Sequence, residues 1–170
     1  MKKVLCLCLV LTLILLCSCR GENSNGGVTH CPLQGTWSAI IKNGERTDAC
    51  SVHFDESGTV TLRYTDPNSV LFDMEEIADG QGVKVKFGEI LSEKKGDSLP
   101  STRLWRARAL LESNAEETRE NDKILLAAGS EGAQIRLLVT KEKKTPLSIE
   151  ISDRYGDLSL CFERDGSDQS

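Results

Sequence analysis

From Thr36 to Phe162, apolar residues recur at every second position in run after run, and that period leaves few folds open. A period of two puts successive side chains on opposite faces of a strand, so each run has one face to bury. Trp37, Ala39 and Ile41 form the first such face. Cys50, Val52 and Phe54 form the second, and Val60, Leu62 and Tyr64 the third. Lys42-Asn43-Gly44-Glu45 and Glu56-Ser57-Gly58 supply the turns between them. Later runs repeat the pattern at Val83, Val85 and Phe87, at Ile135, Leu137 and Val139, at Leu147, Ile149 and Ile151, and at Leu158, Leu160 and Phe162. A short run at Lys123–Ala128 adds another strand.

Two stretches read both ways. Val70, Phe72 and Met74 alternate as a strand, while Leu71, Met74, Ile77 and Ala78 share a helical face. Across 103–112, Trp105, Ala107, Ala109 and Leu111 alternate, while Leu104, Ala107, Arg108 and Leu111 group helically. The helical grouping buries Arg108, so the strand is preferred there, as it is at 70–78. Ser92–Pro100 and Ser113–Asn121 read as loops. The expectation is an all-β chain, an antiparallel up-and-down barrel of about eight to ten strands. Closure would remove the exposed edges of a meander.

The chain's start sets its address. Met1-Lys2-Lys3 precedes an apolar run from Val4 to Cys17, too short to cross a bilayer, which takes about 20 residues. It fits a secretory signal peptide. Leu16-Cys17-Ser18-Cys19 resembles a bacterial lipobox. That resemblance implies cleavage after residue 18 and acyl chains on Cys19, which would tie the protein to membrane lipid. Residues 19–28 then form a polar tether, 29–165 the barrel domain and 166–170 a polar tail. Two or three acyl chains anchor stably where one does not. The expected place is a bacterial cell envelope, at the outer membrane rather than the inner.

Gly35-x-Trp37 at the start of the first strand, followed by Val52-x-Phe54-Asp55-x-x-Gly58-Thr59-Val60, resembles the opening of lipocalin-like domains. The likeness covers about Leu33–Tyr64. It implies that Gly35 and Trp37 close one end of the barrel. The parity of the last strand puts Arg164 on the face of Leu158, Leu160 and Phe162, beside the start of the first strand. Lipocalins stack a late arginine on this tryptophan, a contact worth about 0.5–2 kcal/mol.

Three cysteines remain once Cys6, Cys8 and Cys17 leave with the signal peptide and Cys19 takes lipid. An exported chain can form disulfides. Parity puts Cys50 inside and Cys161 outside, so Cys31–Cys161 is the preferred bridge and Cys31–Cys50 the alternative.

The chemistry visible in the sequence is sparse. The net charge of −5, with 21 basic against 26 acidic residues, argues against nucleic acid as a partner. Two histidines, with no paired-ligand spacing, give no metal site, and no cofactor or nucleophile motif is present. No catalytic residue is assigned. Asp73, Glu75, Glu76 and Asp79 read as a solvated face, and Lys141–Lys144 as an exposed turn that could meet acidic headgroups. The inward face supplies the candidate lining for a small apolar ligand: Ile41, Val52, Phe54, Leu62, Tyr64, Val85, Phe87, Trp105 and Leu137. The alternative is a filled barrel that acts through its surface on an envelope protein. Leu33-x-Gly35-x-Trp37 with Cys50 also resembles small periplasmic inhibitors of bacterial metalloproteases, although those carry a cysteine mid-chain where this chain has none.

Overall fold

Alternation becomes a single sheet. The structure, a computed structural model, describes residues 32–163. Its elements are β1 (Gly35–Asn43), β2 (Arg46–Phe54), β3 (Val60–Tyr64), β4 (Met74–Ala78), β5 (Val83–Phe87), β6 (Ile90–Lys94), α1 (Pro100–Asn114), β7 (Glu116–Glu120), β8 (Lys123–Ser130), β9 (Ala133–Thr140), β10 (Pro146–Asp153) and β11 (Gly156–Phe162). All pairings are antiparallel, in the order β6-β5-β4-β3-β2-β1-β11-β10-β9-β8-β7. The sheet is thus the expected up-and-down antiparallel wrap, with eleven strands. Its first and last strands meet as parity requires, Ala39 opposite Phe162 and Ile41 opposite Leu160.

The wrap stays open. β6 and β7 are its two edges and do not pair with each other. The 103–112 stretch, expected as a strand, is the helix that joins those edges. Pro100 sits in the first turn, where its fixed φ suits a helix and its missing N–H is not needed. Leu104, Ala107 and Leu111 then fall on one face and pack into the sheet's apolar side. The objection to a buried Arg108 fails because partners are waiting. Its guanidinium donates to Glu112 at 2.8 Å and to the Asp55 carbonyl.

Other expectations shift with the helix. Only Met74–Ala78 of the 70–78 stretch is strand; 65–73 is a turn, so Val70 and Phe72 point to water rather than inward. β6 takes Ser92–Lys94 from the expected loop, and β7 takes Glu116–Glu120 from the other. Every residue of β7 is exposed. Its charged side chains discourage edge-to-edge pairing and also erase the alternation that marks a strand.

Strand direction gives the sheet two ends. The first-hairpin end carries the β1–β2, β3–β4, β5–β6, β8–β9 and β10–β11 connections; the opposite end carries β2–β3, β4–β5, β7–β8 and β9–β10.

Arg103 ties α1 to the first-hairpin end. It is buried to 2% exposure, yet its Nε donates to Asp153 at 2.9 Å and its Nη2 to the Gly156 carbonyl at 2.6 Å. Nη1 reaches Asn43 at 3.4 Å. Removing one partner of such a pair strands the other, at a cost of about 3–5 kcal/mol. Arg103→Ala is therefore expected to lower unfolding stability by that amount in urea titrations.

Candidate functional site

The concave face of the sheet is filled. Ile41, Val52, Phe54, Leu62, Tyr64 and Leu137 are all buried in one cluster with Leu104, Ala107 and Leu111 of α1. Val85 is half-buried and Phe87 half-exposed near the β6 edge. Trp105 lies on α1 rather than on a strand, and it borders two clefts.

That space lies along the outer face of α1, which Trp105, Arg106, Ala109 and Leu110 form. One cleft, of about 440 Å³, runs between this face and the ends of β8, β9 and β10. Ala133, Ile135, Ile151 and Tyr155 give it apolar walls. At the first-hairpin end it is bordered by Ser130–Ala133 and Asp153–Tyr155. A second cleft, of about 350 Å³, lies across the helix among Ala78–Gly82, Lys95–Asp97 and Thr102. Trp105 and Arg106 wall both. Each volume falls in the range of small-molecule sites, about 300–1,000 Å³.

Three of the charged groups that line the clefts are joined to one another. Arg106 Nη2 donates to Asp97 Oδ1 at 2.6 Å, and Arg154 Nη2 to Asp97 Oδ2 at 3.2 Å. The Arg154 guanidinium also lies 4.7 Å from the centroid of the Tyr155 ring. One carboxylate thus clasps the loop before α1 to both the helix and the β10–β11 hairpin. These groups are exposed, so each ion pair contributes only about 0–1 kcal/mol. The clasp can open. Asp97, Arg106, Arg154 and Tyr155 were not among the residues expected from sequence. The fold brings the pair Asp97 and Arg106 to the pair Arg154 and Tyr155, 57 residues away along the chain from Asp97 to Arg154.

The indole of Trp105 is seated by Gly80. That glycine has φ +82°, and a Cβ placed on it would lie 2.6 Å from the Trp105 ring. Glycine is required there twice over, for the backbone and for the ring.

Glu76, expected on a solvated face, is buried. Its carboxylate accepts the Ser101 N–H at 3.0 Å and the Tyr64 hydroxyl at 3.3 Å. Leu99, at the cap position of α1, offers no side-chain bond, so Glu76 fills that role from a neighbouring strand. Burial pushes its carboxyl above the usual 4.5, against the pull of the hydrogen bonds from Ser101 and Tyr64.

Gly35 and Trp37 stand at the opposite end of the sheet. The Trp37 indole donates to the Leu33 carbonyl at 3.1 Å and meets Phe162 edge-on, centroids 6.1 Å apart. The described backbone continues to Glu163, bonded to Ser38, and Arg164 lies outside the described residues. So do Cys19 and Cys31. Cys50 is inside and Cys161 outside, as parity gives; the two are not bridged to each other, and Cys31, the expected partner of Cys161, lies outside the described residues. Burial pushes the Cys50 thiol up to about 12, which leaves it inert. Among the described residues no group of three or more His, Cys, Asp or Glu is placed to hold a metal ion. What the clefts offer is apolar contact, an indole face and guanidinium groups at the rim.

No protein-family model matches the chain, and no curated protein matches it. Solved structures give distant likenesses. An uncharacterized conserved protein from Thermus thermophilus is similar at 17% identity and a TM-score of 0.42, over 79% of this chain and 81% of its own. A LolA superfamily protein from Nitrosomonas europaea is similar at 12% identity and 0.41, over 79% and 72%. LprF from Mycobacterium bovis is similar at 10% identity and 0.36, over 82% and 89%. Likeness at this level carries no argument about activity.

Two outcomes are expected of the residues around α1. Gly80→Ala should displace the Trp105 ring, read as a red shift of indole emission, and should cost about 1–2 kcal/mol from its backbone alone. Glu76 holds its proton more tightly folded than unfolded. Its contribution is complete below pH 4.5 and is lost as pH rises through the raised folded value. Glu76→Gln should therefore match the wild type in thermal melts at low pH and exceed it progressively above.

Proposed function

We propose that this protein is a lipid-anchored cell-envelope carrier that holds a small apolar ligand in the cleft between α1 and β8–β10. The observation that supports this most is an apolar-walled space of about 440 Å³, open to solvent, beside a core that is otherwise filled. The ligand's seat is the flank of α1, against Ile135 and Ile151 of the concave face, rather than the part of that face the helix covers. The Cys19 lipobox supplies the anchor and the envelope address, with the outer membrane as its place. The walls take an acyl chain or a flat apolar ring by contact alone, and Trp105 stacks on it. The roles of Gly35, Trp37 and Arg164 in this reading are structural, at the opposite end of the sheet.

A second reading has one observation in its favour. The helix-filled core suits a module that acts through its surface on another envelope protein. The two readings separate in one experiment. Trp105 borders both clefts and Trp37 borders neither, so a brominated fatty acid in the cleft should quench Trp105 saturably. Trp105→Phe should remove the quenching. Ala133→Phe, which fills the cleft, should weaken binding about tenfold or more. Absence of saturable quenching would sink the carrier reading and leave the surface module.

A further inference from the structure

Exposed apolar side chains are not scattered over this sheet. Among the described residues, the exposed large hydrophobics are Ile40, Val70, Phe72, Phe87, Ile90, Leu91 and Tyr155. All but Ile40 sit in or beside turns at the first-hairpin end. Val70 and Phe72 occupy the β3–β4 turn. Phe87, Ile90 and Leu91 make the tip of the β5–β6 hairpin, and Tyr155 that of β10–β11. Val70 is 82% exposed and Ile90 69%. Phe87 and Ile90 are cross-strand partners, and Phe87 also pairs with Met74, so the two loops adjoin.

The opposite end is built differently. Its turns read Asp55-Glu56-Ser57-Gly58, Asp79-Gly80-Gln81-Gly82, Asn121-Asp122 and Lys141-Glu142-Lys143-Lys144. No large apolar residue stands in any of them. The β3–β4 turn and the β5–β6 tip therefore form one patch of exposed apolar side chains, and such a patch marks a contact surface.

We infer that the first-hairpin end docks on the lipid bilayer, with the β5–β6 tip and the β3–β4 turn entering the headgroup boundary. Two features favour a bilayer over a protein as the occupant. The lipobox cysteine lies 16 residues before Gly35, which stands at the opposite end of the sheet; a reach of roughly 55 Å for extended chain exceeds the length of β1, so the anchor keeps a membrane surface within range of the first-hairpin end. The 440 Å³ cleft is also bordered at this end by Ser130–Ala133 and Asp153–Tyr155. Docking in this orientation brings that border toward the lipid. Lys86 stands one residue behind Phe87, with Lys84 beyond it on the same face, at the height where a lysine can reach headgroup phosphates. Glu89, at the tip's turn, stays among the headgroups.

The orientation of the cleft rests on the carrier reading; the contact itself does not, and one experiment keeps them apart. A single environment-sensitive fluorophore is placed on the full chain through Leu91→Cys, or through Ser57→Cys at the opposite end. The background is Cys31→Ser and Cys161→Ser, since the buried Cys50 thiol stays unlabelled. The chain is reconstituted in vesicles of phosphatidylethanolamine and phosphatidylglycerol. At position 91 the probe should shift to the blue and be quenched by a shallow nitroxide lipid at least about twice as strongly as at 57. Adding Phe87→Ser and Ile90→Ser should return it to a water-like signal. Both side chains are exposed, so the fold should persist in circular dichroism. Equal, water-like signals at 91 and 57 would overturn the docking, even if Trp105 still reports fatty acid. A concentration-dependent shift at 91 without vesicles would overturn it in favour of self-association. A bilayer signal at 91 without fatty-acid binding would uphold the docking and remove the carrier.

Discussion

Everything in this domain depends on α1 covering the concave face of the sheet. Eleven antiparallel strands put apolar residues from most of their length on one side. A fully closed barrel would bury that side against itself, but here β6 and β7 stay unpaired. The chain between those edges closes the structure instead. Leu104, Ala107 and Leu111 enter the same cluster as Val52, Leu62 and Leu137, so one core serves both sheet and helix. The helix has few apolar residues for this task, and burial alone does not fix where it lies.

Charged groups fix it. Arg103 reaches the carbonyl of Gly156 and the carboxylate of Asp153, Arg108 reaches the carbonyl of Asp55, and Glu76 receives the first turn of the helix at Ser101. These are attachments at three separate places on the sheet. Burying ionic groups this way adds little net stability over apolar packing, because desolvation offsets much of the attraction. Its effect is on geometry. An apolar face can slide along a sheet with small losses, whereas a helix shifted by one residue would leave a buried guanidinium without its acceptor.

The strands were legible because one buried face forces a period of two, and most of the fold followed from that. The helix was hidden by a coincidence of periods. Trp105, Ala107, Ala109 and Leu111 alternate by accident, since Ala109 is solvent-exposed and Trp105 borders the clefts. Arg108 then tipped the reading toward strand, because a buried arginine looks costly until its partners are known. One of those partners, Glu112, is a helical neighbour four residues on; the other is the Asp55 carbonyl, distant in sequence, which no local pattern displays. The signal that was present was Pro100 ahead of an uninterrupted helical grouping. β7 was illegible for the opposite reason: an edge strand made of charge has no buried face to announce. The same blindness covers the clefts. Arg154 is far from Asp97 and Arg106 in the chain, and only the fold makes them neighbours.

The attachments that fix α1 also bound what the clefts can hold. Merging the spaces on either side of Trp105 into one interior chamber would require the helix to leave the sheet. That would unpair Arg103 and withdraw Ser101 from Glu76, a loss of several kcal/mol before any apolar contact is counted. A ligand must therefore fit with the helix in place, along its flank. The elements free to adapt are those held by exposed contacts: the Asp97 clasp and the β10–β11 hairpin carrying Arg154 and Tyr155. An exposed ion pair yields for about 1 kcal/mol or less, so this side of the cleft can widen while the core stays intact. The sheet and its buried arginines make a rigid floor, and the adaptable wall is the border of the cleft at the first-hairpin end, formed by the β10–β11 hairpin and its Asp97 clasp.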